Sequence, residues 1–224
     1  METIDTKELR KEKIRAAKTE LILDAALQIL SQKGYHETRL EDIAEKAGFS
    51  KSALYRYYKD KDEIFFNIAV RERNKIIDKL TTGPYRLNEN KHISDNLHSL
   101  LNVIFETFGK NFPFILTLNS FQVIALVNAL RQQATLIKIE KEFLTSESKF
   151  AEIIIRLFNI ARNKGEISTP LDSEVLFEFF QGLLFSKVRV WHEKKKVGII
   201  KKEVDEILVF LADGLGYGKQ KFHV

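Results

Sequence analysis

The stretch Ala44-Glu45-Lys46-Ala47-Gly48-Phe49-Ser50-Lys51-Ser52-Ala53-Leu54-Tyr55-Arg56-Tyr57-Tyr58 decides how this chain is read. It has the pattern of a helix, a glycine turn and a second helix. Gly48 supplies a turn in which a side chain would collide. Ser50 is predicted to cap the second helix by accepting from the free amides of its first turn. Leu54 and Tyr58 sit four residues apart and face inward. Lys51, Ser52, Tyr55 and Arg56 then face outward. Two short helices joined in this way can present side chains to the DNA major groove.

The flanking residues support that arrangement. Ile22, Ala25, Ala26, Ile29 and Leu30 form an apolar stripe at helical spacing, and Gly34 ends that first helix. Thr38 and Glu41 have the spacing of a capping box, and Leu40, Ile43, Ala44 and Ala47 make the inner face of the next helix. Asp60 and Glu63 repeat the box ahead of a fourth helix. Lys61 there adds a cation beside amides that favour phosphate.

Charge placement matters more than charge total. The formal net charge of the 224 residues is +5, yet residues 1–62 carry 13 basic and 12 acidic groups. Residues 63–186 balance, and residues 187–224 contribute the other +4. The argument for DNA is therefore local: Lys46, Lys51, Arg56, Lys59 and Lys61 are opposed in that stretch only by Asp60.

This N-terminal stretch resembles the tetracycline-repressor (TetR) family of bacterial regulators. The likeness runs from Ile22-Leu23-Asp24-Ala25-Ala26 through Gly34-Tyr35, Asp42-Ile43-Ala44, Ala47-Gly48-Phe49-Ser50-Lys51 and Leu54-Tyr55-Arg56-Tyr57-Tyr58 to Lys61-Asp62-Glu63. It covers about residues 18–68. The resemblance implies an all-α homodimer with an N-terminal three-helix helix-turn-helix domain and a C-terminal helical effector and dimerisation domain. The expected division is a charged arm over 1–17, a DNA-binding domain over 18–62 and a ligand-binding and dimerisation domain over 63–224. Carried over by position, the DNA contacts are Arg39, Ser50, Lys51, Ser52, Ala53, Tyr55, Arg56, Tyr57 and Lys61. Tyr57 and Lys61 are expected to clamp phosphates. Arg39 departs from the family, which usually has Ser or Thr there; the cap then falls to Thr38, and Arg39 is either a backbone contact or solvated.

Beyond Thr81 the pattern is helical, broken at Gly83-Pro84 and over Asn88-Glu89-Asn90-Lys91-His92. Helices are expected near 61–81, 93–110, 112–119, 121–143, 146–164, 172–194 and 201–215. Phenylalanine is frequent, at 17 of 224 residues. Family resemblance places an effector cavity here, and Phe105, Phe108, Phe112, Phe121, Gln122 and Phe158 are its candidate lining for a hydrophobic small molecule. Each phenylalanine also has the simpler reading of ordinary core. Asn119, Asn128, Arg131 and Arg156 are further polar candidates. Phe179, Phe180, Leu183, Leu184, Leu208 and Leu211 are the expected dimer surface, with Gly182 and Ser186 permitting close helix approach. Lys194-Lys195-Lys196 and Lys201-Lys202 form a basic connection, read as solvated.

Several classes are excluded or disfavoured. With no cysteine, disulfides and thiolate chemistry are impossible. The five histidines lack metal-ligand spacing, no phosphate-cradling glycine loop is present, and no serine sits in a nucleophile elbow. No catalysis, metal or cofactor is expected. The uncharged stretch between Lys110 and Arg131 contains too many Asn, Gln, Ser and Pro residues for a spanning helix. The charged N-terminus lacks a signal peptide's apolar core. The expectation is a cytoplasmic, dimeric, ligand-responsive repressor on palindromic double-stranded DNA. The alternative is a ligand-independent architectural DNA-binding protein of the same fold.

Overall fold

The computed structural model describes residues 6–83, 85–108, 111–118, 138–194 and 201–216, and every element among them is helical. In chain order these are α1 (Thr6–Glu37), α2 (Leu40–Ala47), α3 (Lys51–Leu54), α4 (Lys61–Thr81), α5 (Ile93–Phe108), α6 (Phe112–Leu118), α7 (Lys138–Asn163), α8 (Ser173–Glu193) and α9 (Lys201–Leu215). None of the described helices is long and apolar enough to cross a membrane.

The N-terminal head closes around α1. Ile22, Leu23, Ala26, Ile29 and Leu30 are buried against Ile43 and Ala44 of α2, Leu54 of α3 and Ile64, Phe65 and Ile68 of α4. Fully burying one such side chain stabilises by about 1.5–3 kcal/mol, which is why this small unit holds together. The charged residues 7–18 continue the same helix and are solvent-facing, so the expected arm is an extension of α1. Gly34 interrupts α1 at φ 76°, where the sequence places its stop.

Head and body share a core. Phe114 of α6 and Ile139 and Phe143 of α7 belong to the head's apolar cluster. Phe65 meets Phe114 at 5.1 Å between ring centroids, and Phe66 meets Phe143 at 5.0 Å. A polar clamp reinforces the junction. Arg71 of α4 reaches Glu20 at 3.0 Å and Asp24 at 2.9 Å on α1, while its Nε pairs with Glu72 at 2.9 Å. Glu72 is buried and also receives Lys75 at 2.8 Å. The carboxylates hold the Arg71 guanidinium in its charged form, against burial.

The body is a helical bundle in which α5, α7, α8 and α9 enclose Leu97, Leu100, Leu101, Ile154, Leu157, Phe180, Trp191, Val204 and Ile207. Its loops are tied by side chains. Asn96 is buried and brackets the Asn88 backbone, accepting from its N–H at 2.9 Å and donating to its carbonyl at 2.9 Å. Glu166 accepts from the Ile93 N–H at 2.7 Å and so satisfies the start of α5.

Two local expectations need correcting. A break was expected between helices 121–143 and 146–164, yet α7 runs through it from Lys138 to Asn163. The Ser146 hydroxyl donates back to the Phe143 carbonyl at 2.8 Å within the helix, so the polar pair Thr145-Ser146 does not interrupt it. Residues 121–137 lie outside the described residues. Thr38 is not the cap of α2: it is buried, and its hydroxyl donates to the Gly34 carbonyl at 2.6 Å. Arg39 holds the N-cap position, and its N–H donates to Asp42 at 3.3 Å. Asp42, not Glu41, therefore completes this turn.

Candidate nucleic-acid interface

The second helix of the pair is short and well anchored. The Ser50 hydroxyl accepts from the Ala53 N–H at 3.2 Å and lies 3.2 Å from the Ser52 hydroxyl. Gly48 closes α2 in the left-handed conformation, φ 74°, so a branched side chain there is strained. Leu54 is fully buried and Tyr58 nearly so, as their four-residue spacing requires. Tyr58 is held by packing, since its hydroxyl has no hydrogen-bond partner among the described residues. Burial pushes that hydroxyl's pKa well above the ordinary tyrosine value.

Anchoring Leu54 and Tyr58 turns the other side of the segment outward. Ser50, Lys51, Ser52, Tyr55 and Arg56 are exposed, and Ala53 is half-buried between them. Tyr55 is 47% exposed on this outward side. The Arg56 side chain makes no ion pair or hydrogen bond among the described residues, while its backbone N–H donates to the Ala53 carbonyl at 3.3 Å. Lys51 pairs with Glu41 of α2, which holds its pKa above the ordinary lysine value and that of Glu41 below the ordinary carboxylate value. Both groups are solvent-exposed, so the pair is screened and can exchange for a phosphate. Asp42 is held low by Lys33 at 2.9 Å and by the Arg39 N–H. The Arg39 side chain lies exposed at the edge of this face.

Two expected phosphate clamps sit deeper. Tyr57 is half-buried, its ring edge-on to Phe49 at 5.9 Å. Lys61 is turned into the head: its Nζ donates to the Tyr35 carbonyl at 2.6 Å and the Thr38 carbonyl at 3.0 Å and lies 4.3 Å from the Tyr35 ring centroid. Desolvation holds its pKa below the ordinary lysine value. The Tyr35 hydroxyl donates to Asp62, so Tyr35, Lys61 and Asp62 together fix the end of α1 against the start of α4. The motif comparison pointed to Tyr35 and Lys61 separately; only their separation of 26 residues, closed by the fold, makes them partners.

Residues 22–68 match the family model described as "Bacterial regulatory proteins, tetR family". The likeness to that family therefore lies in the head, from within α1 to within α4. Over 191 residues it is 20% identical to the fatty acid metabolism regulator protein of Bacillus subtilis, spanning 84% of this chain and 92% of that one. Over 53 residues it is 47% identical to the HTH-type transcriptional regulator RutR of Escherichia coli, about a quarter of each chain (24% and 25%). In fold it is similar to the fatty acid degradation regulator FadR from Bacillus halodurans (TM-score 0.70, 19% identity, 91% of this chain and 97% of that one). It is likewise similar to FadR from Bacillus subtilis in complex with stearoyl-CoA (TM-score 0.66, 18% identity, 87% and 98%). The match over residues 22–68 and the shared fold support a DNA-binding regulator in broad terms.

The candidate effector and dimer residues are distributed unevenly. Phe105 and Phe158 are buried in the bundle, against Trp191 at 4.8 Å and Phe180 at 6.4 Å respectively. The side chains of Phe108 and Phe112 lie outside the described residues, as do Phe121 and Gln122, together with Asn119, Asn128 and Arg131. Arg156 is on the surface, paired with Glu89 at 2.5 Å. Of the proposed dimer residues, Phe180, Leu184, Leu208 and Leu211 are buried within this chain's own core. Leu183 is half-buried and Phe179 is 63% exposed. Phe210, 64% exposed, and Val209 lie outward on α9, and neither was singled out from sequence. The unbroken apolar run Ile207-Leu208-Val209-Phe210-Leu211 was the available signal, because a run of five covers more than one helix face. Lys194 and Lys202 are exposed; residues 195–200 between them lie outside the described residues.

Proposed function

We propose that this protein is a dimeric, ligand-responsive transcriptional repressor. Two α3 segments, one from each copy, enter successive major grooves of a palindromic operator. The observation that carries this reading is the outward set Ser50, Lys51, Ser52, Tyr55 and Arg56 on a segment pinned from behind by buried Leu54 and Tyr58. Short polar groups near the helix start reach base edges, and the cations and Tyr57 hold the backbone.

Dimerisation through α8 and α9 is supported by the exposed Phe179 of α8 and the exposed Val209 and Phe210 of α9. Exposed large apolar groups clustered on one face are what an interface covers. The effector is a hydrophobic small molecule, and a long acyl chain is the form favoured by the relatives named for fatty acid metabolism. It acts by preferring a state in which the two heads are wrongly spaced, which requires differential affinity between states.

The test is anisotropy titration of the intact protein against duplexes selected from random sequence, with and without long-chain acyl thioesters. A two-fold-symmetric selected site whose binding weakens with the thioester is expected. Failure to enrich any symmetric site refutes the dimeric repressor.

A further inference from the structure

A groove of about 560 Å³ runs between α4 and α7 on the outside of the molecule. Lys138, Lys141, Thr145 and Lys149 of α7 line it, facing Asn74 of α4. Their intervals of three, four and four residues place them on one stripe of α7. Among the described residues the groove has one acidic lining residue, Glu142, which pairs with Lys138 at 3.6 Å. Lys141 and Lys149 are exposed and make no ion pair among the described residues.

The floor is also positive. Arg73 of α4 donates from Nη1 to the Ser146 hydroxyl, itself a lining group, at 2.8 Å and to the Phe143 carbonyl at 3.2 Å. Its guanidinium lies 4.8 Å from the Phe143 ring centroid. Burial pulls its pKa below the ordinary arginine value; Glu147 opposes this from beyond ion-pair distance. The contrast with Arg71, two residues earlier, is direct. Arg71 is surrounded by three carboxylates. Among the described residues Arg73 is contacted only by neutral acceptors and a ring. A desolvated cation without a contacting carboxylate is costly, and an anion close by relieves that cost.

We propose that this groove binds a soluble organic phosphate carrying at least two anionic groups. The ammonium groups of Lys141 and Lys149 donate to phosphate oxygens, Thr145 and Asn74 add neutral hydrogen bonds, and Arg73 supplies positive potential from beneath through Ser146. The spacing favours a diphosphate or bisphosphate over a single carboxylate, because eight residues of helix separate the two lysines by about 12 Å. Such a ligand touches both α4, which leaves the DNA-binding head, and α7. The site goes beyond the hydrophobic effector proposed above and is measurable without DNA.

The experiment is calorimetric titration of the intact protein with inorganic pyrophosphate at fixed ionic strength. Saturable binding with one site per chain is expected. Lys141→Gln with Lys149→Gln should weaken it at least about tenfold, since each ammonium–phosphate bond is charge-assisted. Lys202→Gln, an exposed lysine of α9, should titrate like the unaltered protein. Matched melting curves establish that the variants fold. No saturable heat, an unaffected double variant, or an equal loss in Lys202→Gln overturns the proposal. Phosphatidylglycerol vesicles form the second arm. Sedimentation that depends on Lys141 and Lys149 in the absence of pyrophosphate binding would overturn the assignment to a soluble ligand.

Discussion

Replacing Lys61 with methionine keeps the aliphatic stem and removes the ammonium. In the structure that ammonium serves the carbonyls of Tyr35 and Thr38 at 2.6 and 3.0 Å and faces the Tyr35 ring. A hydrogen bond from a charged donor contributes about 1.5–3 kcal/mol, and a cation over a ring at a partly exposed site about 0.5–1. Desolvation of Lys61 offsets part of this, as the lowered pKa shows. The net expectation is a loss of about 2–3 kcal/mol, which moves the urea midpoint down by about 1–2 M for an ordinary slope. DNA binding by the folded variant should keep its salt dependence. A phosphate contact makes the opposite prediction: unchanged stability, and a log–log salt slope flatter by about one unit per head. Urea titration by far-ultraviolet circular dichroism, with duplex binding at four salt concentrations, separates the two. Unchanged stability with a flattened slope would refute the structural assignment of Lys61.

Tyr55→Ala should lower operator affinity by about 1–3 kcal/mol, the worth of a base contact, with an unchanged melting curve; anisotropy and calorimetry read the two quantities. Gly48→Val should lower the melting temperature, because φ 74° disfavours a branched residue, while Gly48→Asn should be tolerated better since nothing lies within 4 Å of a new Cβ. Phe179→Ser with Phe210→Ser should convert a dimer to a monomer in sedimentation velocity, with the helical signal preserved because both rings are exposed in the monomer.

The head was largely legible from sequence because its rules are local. Ser50 caps within three residues, Leu54 and Tyr58 share a face by helical spacing, and Gly48 takes the one conformation its position needs. The start of α2 was misread for an equally local reason: Thr38 and Asp42 compete with Glu41 for the same turn, and propensity does not say which hydroxyl will instead bond back to Gly34. Lys61 escaped because its partners are 23 and 26 residues away, and a lysine at a helix start looks the same whether it turns inward or outward. On α8 and α9, sequence identified apolar residues without separating those covered by this chain from those left outside. Phe180 and Phe179 are neighbours in sequence and opposites in burial. Arg73 gave no sign at all, since its lack of a carboxylate depends on the packing of α4 against α7.

The central claim is that the segment beginning at Ser50 enters the duplex. A photo-crosslinking side chain placed at Tyr55 in the intact protein tests it most directly, with the same group at Phe179 for comparison. Irradiation with bound duplex should give a protein–DNA adduct from position 55 and none from position 179. Adducts from position 179 alone would contradict the account.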